Sequence, residues 1–166
     1  MNKKFSFQEQ VAIAKQVEDK LYNYWEGLSS TVHLIDLRDK KKWEDYDIDF
    51  IHARFQDDIV KFRTVEVKVD FRMSDTGNFF IEIGERGWLN KSKAETIAYL
   101  NHGKGLMYYI PNKRLKGYIE AHKSEFDSRK VSTSDWGGYD VEGLLVPYDD
   151  VVTNIPIYIE DLTSIL

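Results

Sequence analysis

The chain contains no cysteine, so disulfide bridges and thiolate metal sites are excluded. It has no apolar run approaching a membrane span and no signal-peptide pattern at Met1-Asn2-Lys3-Lys4, so a cytoplasmic protein with no membrane association is expected. Internal repeats, low-complexity tracts and clear linkers are missing as well. No Lys or Arg occurs after Lys130. All 23 basic residues therefore lie in 1–130 beside 21 of the 28 acids, giving that part +2, while 131–166 carries −7. The net charge of −5 argues against nucleic acid as a partner, but this asymmetry permits a basic working face. What is present suffices for a core. Of 166 residues 42% are hydrophobic and 14% aromatic, which fits one ordered domain with its core at about 6–126 and an acidic C-terminal extension at 131–166.

Several common sites are also missing. Asp45-Tyr46-Asp47-Ile48-Asp49 opens like an EF-hand loop, but the sixth position is Phe50 instead of Gly and the twelfth is Gln56 instead of Glu. Gly103-Lys104-Gly105 is too short for a phosphate-binding loop, and His33, His52, His102 and His122 are too scattered to be a ligand set.

Local patterns predict an order of α, β, β, β, β, α, β, α and then irregular β. Ser6-Phe7-Gln8-Glu9 has capping-box form and opens a helix over 6–26. Its stripe is Ile13, Val17, Leu21, Tyr24 and Leu28. Strands are expected at 32–37, 47–55 and 60–70, the last two joined by a turn at Gln56-Asp57-Asp58, and again at 78–83. Ser92-Lys93-Ala94-Glu95 repeats the capping-box pattern and predicts a helix through about His102. A buried strand at 106–110 and a helix to about Phe126 follow. This order implies an α/β protein with a mixed central β-sheet flanked by α-helices.

The most informative segment is Thr64-Val65-Glu66-Val67-Lys68-Val69. In a strand the three valines share one face, and Glu66 and Lys68 share the other. Acid-x-Lys also occurs at Glu18-Asp19-Lys20 and Asp39-Lys40-Lys41, so by itself the tripeptide reads as a surface ion pair. Its setting is different: an acid-bearing strand precedes it, with Asp47 and Asp49 expected on one face and hairpin pairing bringing that face beside Glu66. Asp49, Glu66 and the main-chain oxygen of Val67 are the hard oxygen donors that Mg²⁺ or Mn²⁺ takes. Lys68 beside them would orient or deprotonate a water, or stabilise developing phosphate charge. Sequence leaves base and cation both open.

The set Glu18, Asp49 and Glu66-x-Lys68 resembles the PD-(D/E)XK nuclease superfamily, which has an acid on the first core helix, one on the next core strand and acid-x-Lys on the strand after it. The stretch Val65-Glu66-Val67-Lys68, Thr76-Gly77-Asn78-Phe79-Phe80-Ile81-Glu82, Gly87-Trp88 and Ser92-Lys93-Ala94 is similar to a branch found in phage and plasmid nucleases, resolvase- or restriction-like in kind. The likeness covers about residues 6–110. It departs from the pattern in two places: the usual Pro-Asp before the second strand is replaced by Ile48-Asp49, and Ala14 stands where a glycine is usual.

The resemblance implies a restriction-endonuclease-like core and a Mg²⁺-dependent (or Mn²⁺-dependent) deoxyribonuclease associated with a phage or mobile element, working in the cytoplasm of a bacterial host. It implies catalysis by Asp49, Glu66, Lys68 and Glu18, with Glu18 reaching the metal directly or through water. Asp47 and Glu82 would lie just outside the ligands. Arg86, Lys91 and Lys93 are candidate DNA contacts, and a homodimer or larger assembly is in keeping with the family. The competing expectation is a catalytically inactive nuclease-fold protein that binds nucleic acid or a protein partner.

Overall fold

The computed structural model describes residues 5–85, 87–131 and 141–166. Helix α1 (Phe7–Gly27) opens on the expected capping box. The Glu9 amide donates to Ser6 Oγ (3.3 Å) and the Ser6 amide donates to Glu9 Oε2 (2.7 Å). Its buried stripe is Val17, Leu21 and Trp25. Strands β1 (Thr31–Asp36), β2 (Phe50–Gln56) and β3 (Ile59–Asp70) form an antiparallel meander. Asp57 and Asp58, at φ 52° and 60°, make the two-residue link between β2 and β3, a conformation that Asp tolerates and that suits the twist of a hairpin.

The chain then leaves this sheet through a short helix α3 (Met73–Thr76, after the short α2 at Lys41–Glu44), strand β4 (Asn78–Ile83) and helix α4 (Trp88–Lys91). Strand β5 (Thr96–Asn101) returns parallel to β3. Strand β6 (Leu106–Pro111) follows antiparallel to β5, then helix α5 (Asn112–His122), β7 (Asp127–Val131), β8 (Val141–Pro147), α6 (Tyr148–Asn154) and β9 (Tyr158–Asp161). The main sheet runs β1-β2-β3-β5-β6-β9, and a second antiparallel sheet runs β4-β8-β7. The protein is thus α/β, with a mixed central sheet flanked by helices. No described helix is long and apolar enough to cross a membrane.

The expected helix at 92–102 is a strand instead. Ile97, Ala98, Tyr99 and Leu100 are all buried, so both faces of the segment need apolar side chains and no helical stripe exists. The capping-box residues have other partners. Ser92 Oγ accepts from the Ala94 amide (3.2 Å), and Glu95 Oε2 accepts from the Thr64 amide of β3 (3.2 Å). The acidic extension is woven into the fold: β8 is the middle strand of the second sheet and β9 an edge of the first. Helix α6 is absent from the sequence-derived order, and α5 ends at His122, before Phe126.

The core has two layers. Helix α1 covers Phe50, Val65, Val67, Ala98, Leu100 and Met107 on one face of the main sheet. Phe50 is fully buried edge-on to Trp25 (centroids 5.6 Å apart), and an aromatic buried in this way contributes roughly 2–3 kcal/mol. On the other face Ile97, Tyr99, Tyr108 and Ile110 pack against Phe79, Ile81, Leu144 and Val146 of the second sheet and Leu115 and Ile119 of α5. The valine alternation in β3 therefore assigns the two sides: valines toward α1, Glu66 and Lys68 toward the second sheet.

Gly87 is where α4 turns tightly against the end of β4. A Cβ at this position would lie 2.4 Å from the Ile83 carbonyl oxygen and 2.7 Å from the Glu82 carbonyl carbon, and backbone cannot yield as a side-chain tip can. Gly87→Ala is expected to destabilise the protein by about 2 kcal/mol, read as a lowered melting temperature, through overpacking. An unchanged melting temperature would show that this turn opens freely.

Candidate active site

The site lies where β2 and β3 part. Phe50 pairs with Val65 as the first rung of the β2–β3 ladder, and Asp49 stands just before it, where the regular register ends. Asp49 still donates its amide to the Val65 carbonyl (2.9 Å), but its own carbonyl accepts from Leu37 (2.8 Å). Its side chain takes over the lost ladder contact: Asp49 Oδ2 accepts from the Val67 amide at 2.7 Å. The carboxylate is thereby held against the backbone of the strand that carries Glu66 and Lys68.

Glu66 is 3% exposed. Its Oε1 is bonded to Lys68 Nζ, while its Oε2 is buried with no hydrogen-bond partner among the described residues. Such an atom is costly to leave unsatisfied. Burial pushes the Glu66 carboxyl well above the ordinary carboxylate range. Lys68 opposes that shift, and Asp49 and Asp47 reinforce it. Asp49 is raised by burial as well, against the pull of the Val67 amide.

Lys68 shows the reverse balance. Burial penalises its charge, but Glu66, then Asp47 and Asp49, more than offset that and hold its pKa above the ordinary value. In this setting Lys68 is a cation at neutral pH. The acids around it favour the charged form, which suits charge stabilisation and orientation.

Glu18, on α1, is raised by burial and by Asp49, and lowered by Arg38 and Lys68, so its carboxylate is electrostatically part of the same group. Arg38 is a residue that sequence reasoning missed. Its guanidinium bonds Asp36 (2.6 Å), Asp19 (2.9 Å) and Glu18 (3.3 Å) and lies over the Phe50 ring (4.9 Å). The available signal was position: Arg38 directly follows the β1 strand, two residues past Asp36. It fixes Glu18 to the end of the sheet where Asp49 emerges.

Asp47 does not share a strand face with Asp49. It precedes β2 in a left-handed conformation (φ 50°), which a short polar side chain tolerates. Its loop is tied across to Ser92 and Lys93: the Asp47 carbonyl accepts from Ser92 Oγ (3.1 Å), and the Tyr46 carbonyl from the Lys93 amide (2.8 Å). Its carboxylate still faces the group, 3.1 Å from Lys91 Nζ and 3.7 Å from Lys68 Nζ. Glu82, on β4, is raised by burial, lowered by Lys68 and by a hydrogen bond from the Trp88 backbone, and coupled to Asp47, so it borders the site from the second sheet. Lys91 is engaged by Asp47, and Lys93 is exposed beside Lys116. Arg86 lies outside the described residues.

The arrangement gathers Glu18, Asp47, Asp49, Glu66 and Glu82 around one ammonium group. Among the described residues no three His, Asp or Glu side chains converge at ready metal-ligand spacing. The donors nevertheless fit a hard divalent cation: carboxylate oxygens, one of them buried and unpartnered, on acids whose carboxyls burial raises. No family model, curated protein or solved structure matches the chain.

Proposed function

We propose that this chain is a metal-dependent nuclease, built on a core of the PD-(D/E)XK kind, that hydrolyses phosphodiester bonds in DNA. The observation that carries this reading is the buried, unpartnered Glu66 Oε2 beside Lys68, on the strand whose Val67 amide holds the Asp49 carboxylate. Asp49 and Glu66, with the Val67 carbonyl and Glu18, would hold Mg²⁺ or Mn²⁺. When bound, the ion supplies Lewis acidity toward the phosphate and makes a water more acidic. Lys68 keeps its proton and orients that water or balances charge on the phosphate oxygens. The water would add to phosphorus and give up a proton to solvent as one P–O ester bond breaks, and the leaving oxygen would take a proton from solvent to depart as an alcohol. Arg38 keeps the Glu18 carboxylate in place, and Lys91, Lys93 and Arg86 are the candidate phosphate contacts. Self-association would add basic surface to a chain of net charge −5. A phage or mobile-element setting in a bacterial cytoplasm belongs to the same reading.

A second reading has one observation in its favour. The Lys68 ammonium is bonded directly to Glu66 and so already gives that carboxylate a counter-charge, as in a nuclease fold used only for binding nucleic acid or protein. The two are separated by incubating the protein with linear, circular, branched and single-stranded DNA in Mg²⁺, in Mn²⁺ and in EDTA. The nuclease reading expects metal-dependent cleavage of at least one form and none in EDTA. An intact panel in both metals would overturn it.

A further inference from the structure

A cavity of about 420 Å³ opens on the α1 side of the main sheet, away from the carboxylate group. It begins where α1 ends, at Trp25 and Leu28, so the helix leaves the lower half of the sheet uncovered. The hairpin register explains its charge. His52 pairs with Arg63 and Arg54 with Lys61, and all four face the same side as Phe50 and Val65. Three cations therefore project into one concave surface. Lys61 is paired with Asp57 (3.1 Å) and Arg54 donates to Ser30 Oγ (2.9 Å). Arg63 is exposed and has no carboxylate or hydrogen-bond partner among the described residues.

The opposite wall is aromatic and polar. Tyr109 and Tyr158 lie with centroids 5.7 Å apart at 32°, and Tyr158 is 63% exposed, so a flat face stands open at the rim. Below it Glu160 accepts from Tyr24 (2.7 Å) and Tyr109 (2.6 Å), and Tyr109 in turn accepts from Trp25 Nε1 (3.1 Å). These bonds lock the tyrosine ring and the carboxylate. They use one lone pair on each Glu160 oxygen, leaving acceptor capacity facing the cavity. The combination is an unpaired guanidinium, a stacking face and a fixed acceptor within a volume suited to a small organic ligand.

We propose that this cavity binds a nucleoside monophosphate unit, its phosphate on Arg63 and Arg54, its base against Tyr158 and Tyr109 with an amino edge toward Glu160. The unit comes either as a free nucleotide or as the 5′-phosphorylated end of a nucleic acid strand. Guanidinium groups match phosphate oxygens in charge and geometry. Aromatic faces accept any base, and the carboxylate favours one that bears an exocyclic amine. The site is separate from Glu66 and Lys68, which face the other side of the sheet, and does not depend on the metal reading.

The test is calorimetric titration of the full chain with AMP, adenosine, phenyl phosphate, inorganic phosphate and a 5′-phosphorylated oligodeoxyadenylate. Saturable binding of AMP or the phosphorylated oligonucleotide is expected, at least about tenfold tighter than phosphate, phenyl phosphate or adenosine. AMP alone would identify a free nucleotide, and the oligonucleotide alone a strand end. Arg63→Ala and Arg54→Gln should each weaken binding about tenfold, with the melting temperature of Arg63→Ala unchanged because that side chain is exposed. Lys68→Ala should bind as the wild type does. No saturable binding of either nucleotide form, equal affinity for phenyl phosphate, or undiminished binding in both arginine variants would overturn the proposal.

Discussion

Lys68→Ala is expected to lower metal-dependent DNA cleavage by about 10²–10³-fold, the usual effect of deleting one preorganised group that meets transition-state charge. The expectation follows from the environment of the ammonium. Glu66, Asp47 and Asp49 together outweigh the burial that would strip its proton. An ammonium that acts by field and orientation is lost as fully in a neutral replacement of similar reach, so Lys68→Met should be nearly as inactive as alanine. Lys68→Arg should retain measurable activity. If Lys68 were instead the base, arginine would be as inactive as methionine. Each variant must melt cooperatively, because removing Lys68 leaves the buried Glu66 without its counter-charge, and Glu66 then takes up a proton more readily.

The second large effect is on stability, at His52. This side chain is buried, bonded to Thr31 Oγ1 (2.8 Å) and packed on Trp25. Burial, with Arg54 and Arg63 adding to it, lowers its pKa to about 4 from an ordinary 6.5. A histidine depressed in the folded state contributes stability that is present above its unfolded pKa and lost as pH falls toward the folded one. The window is therefore pH 6.5 down to about 4, and the loss across it is about 3 kcal/mol. Glu18, Asp49, Glu66 and Glu82 act in the opposite sense. Their raised values favour the fold at low pH and lose that contribution as pH rises. Comparison of variants isolates the histidine. The stability gap between wild type and His52→Asn should be widest at pH 7 and shrink by 2–3 kcal/mol at pH 4.5. A gap that stays constant across that range would mean the buried imidazole titrates normally.

These expectations rest on features of unequal visibility in the sequence. The β3 alternation was legible because period-2 burial writes itself directly into residue order, and with it came the two faces and the place of Glu66 and Lys68. The Asp57-Asp58 link and the Ser6 cap were legible because their chemistry is local. Ser92–Glu95 misled for the same reason: the local pattern matches a capping box, but Ser92 closes its own turn and Glu95 bonds across to Thr64, a contact 31 residues away in the chain. Asp47 was assigned to the wrong conformation because its left-handed turn is enforced by bonds to the segment around Ser92. Arg38 was missed because its three acidic partners come from two elements, α1 and the end of β1, whose packing no spacing rule encodes. The strands of the acidic extension are short and pair with segments far earlier in the chain, so they too lacked a local signal.

The central claim is that Asp49 and Glu66 form one divalent-cation site. Mn²⁺ titration at pH 7.5, followed by calorimetry on the wild type, Glu66→Gln and Asp49→Asn, tests it most directly. Saturable uptake is expected for the wild type and is lost in both variants, each of which preserves side-chain shape while removing the charge. No uptake by the wild type, or uptake that persists unchanged in both variants, would contradict it.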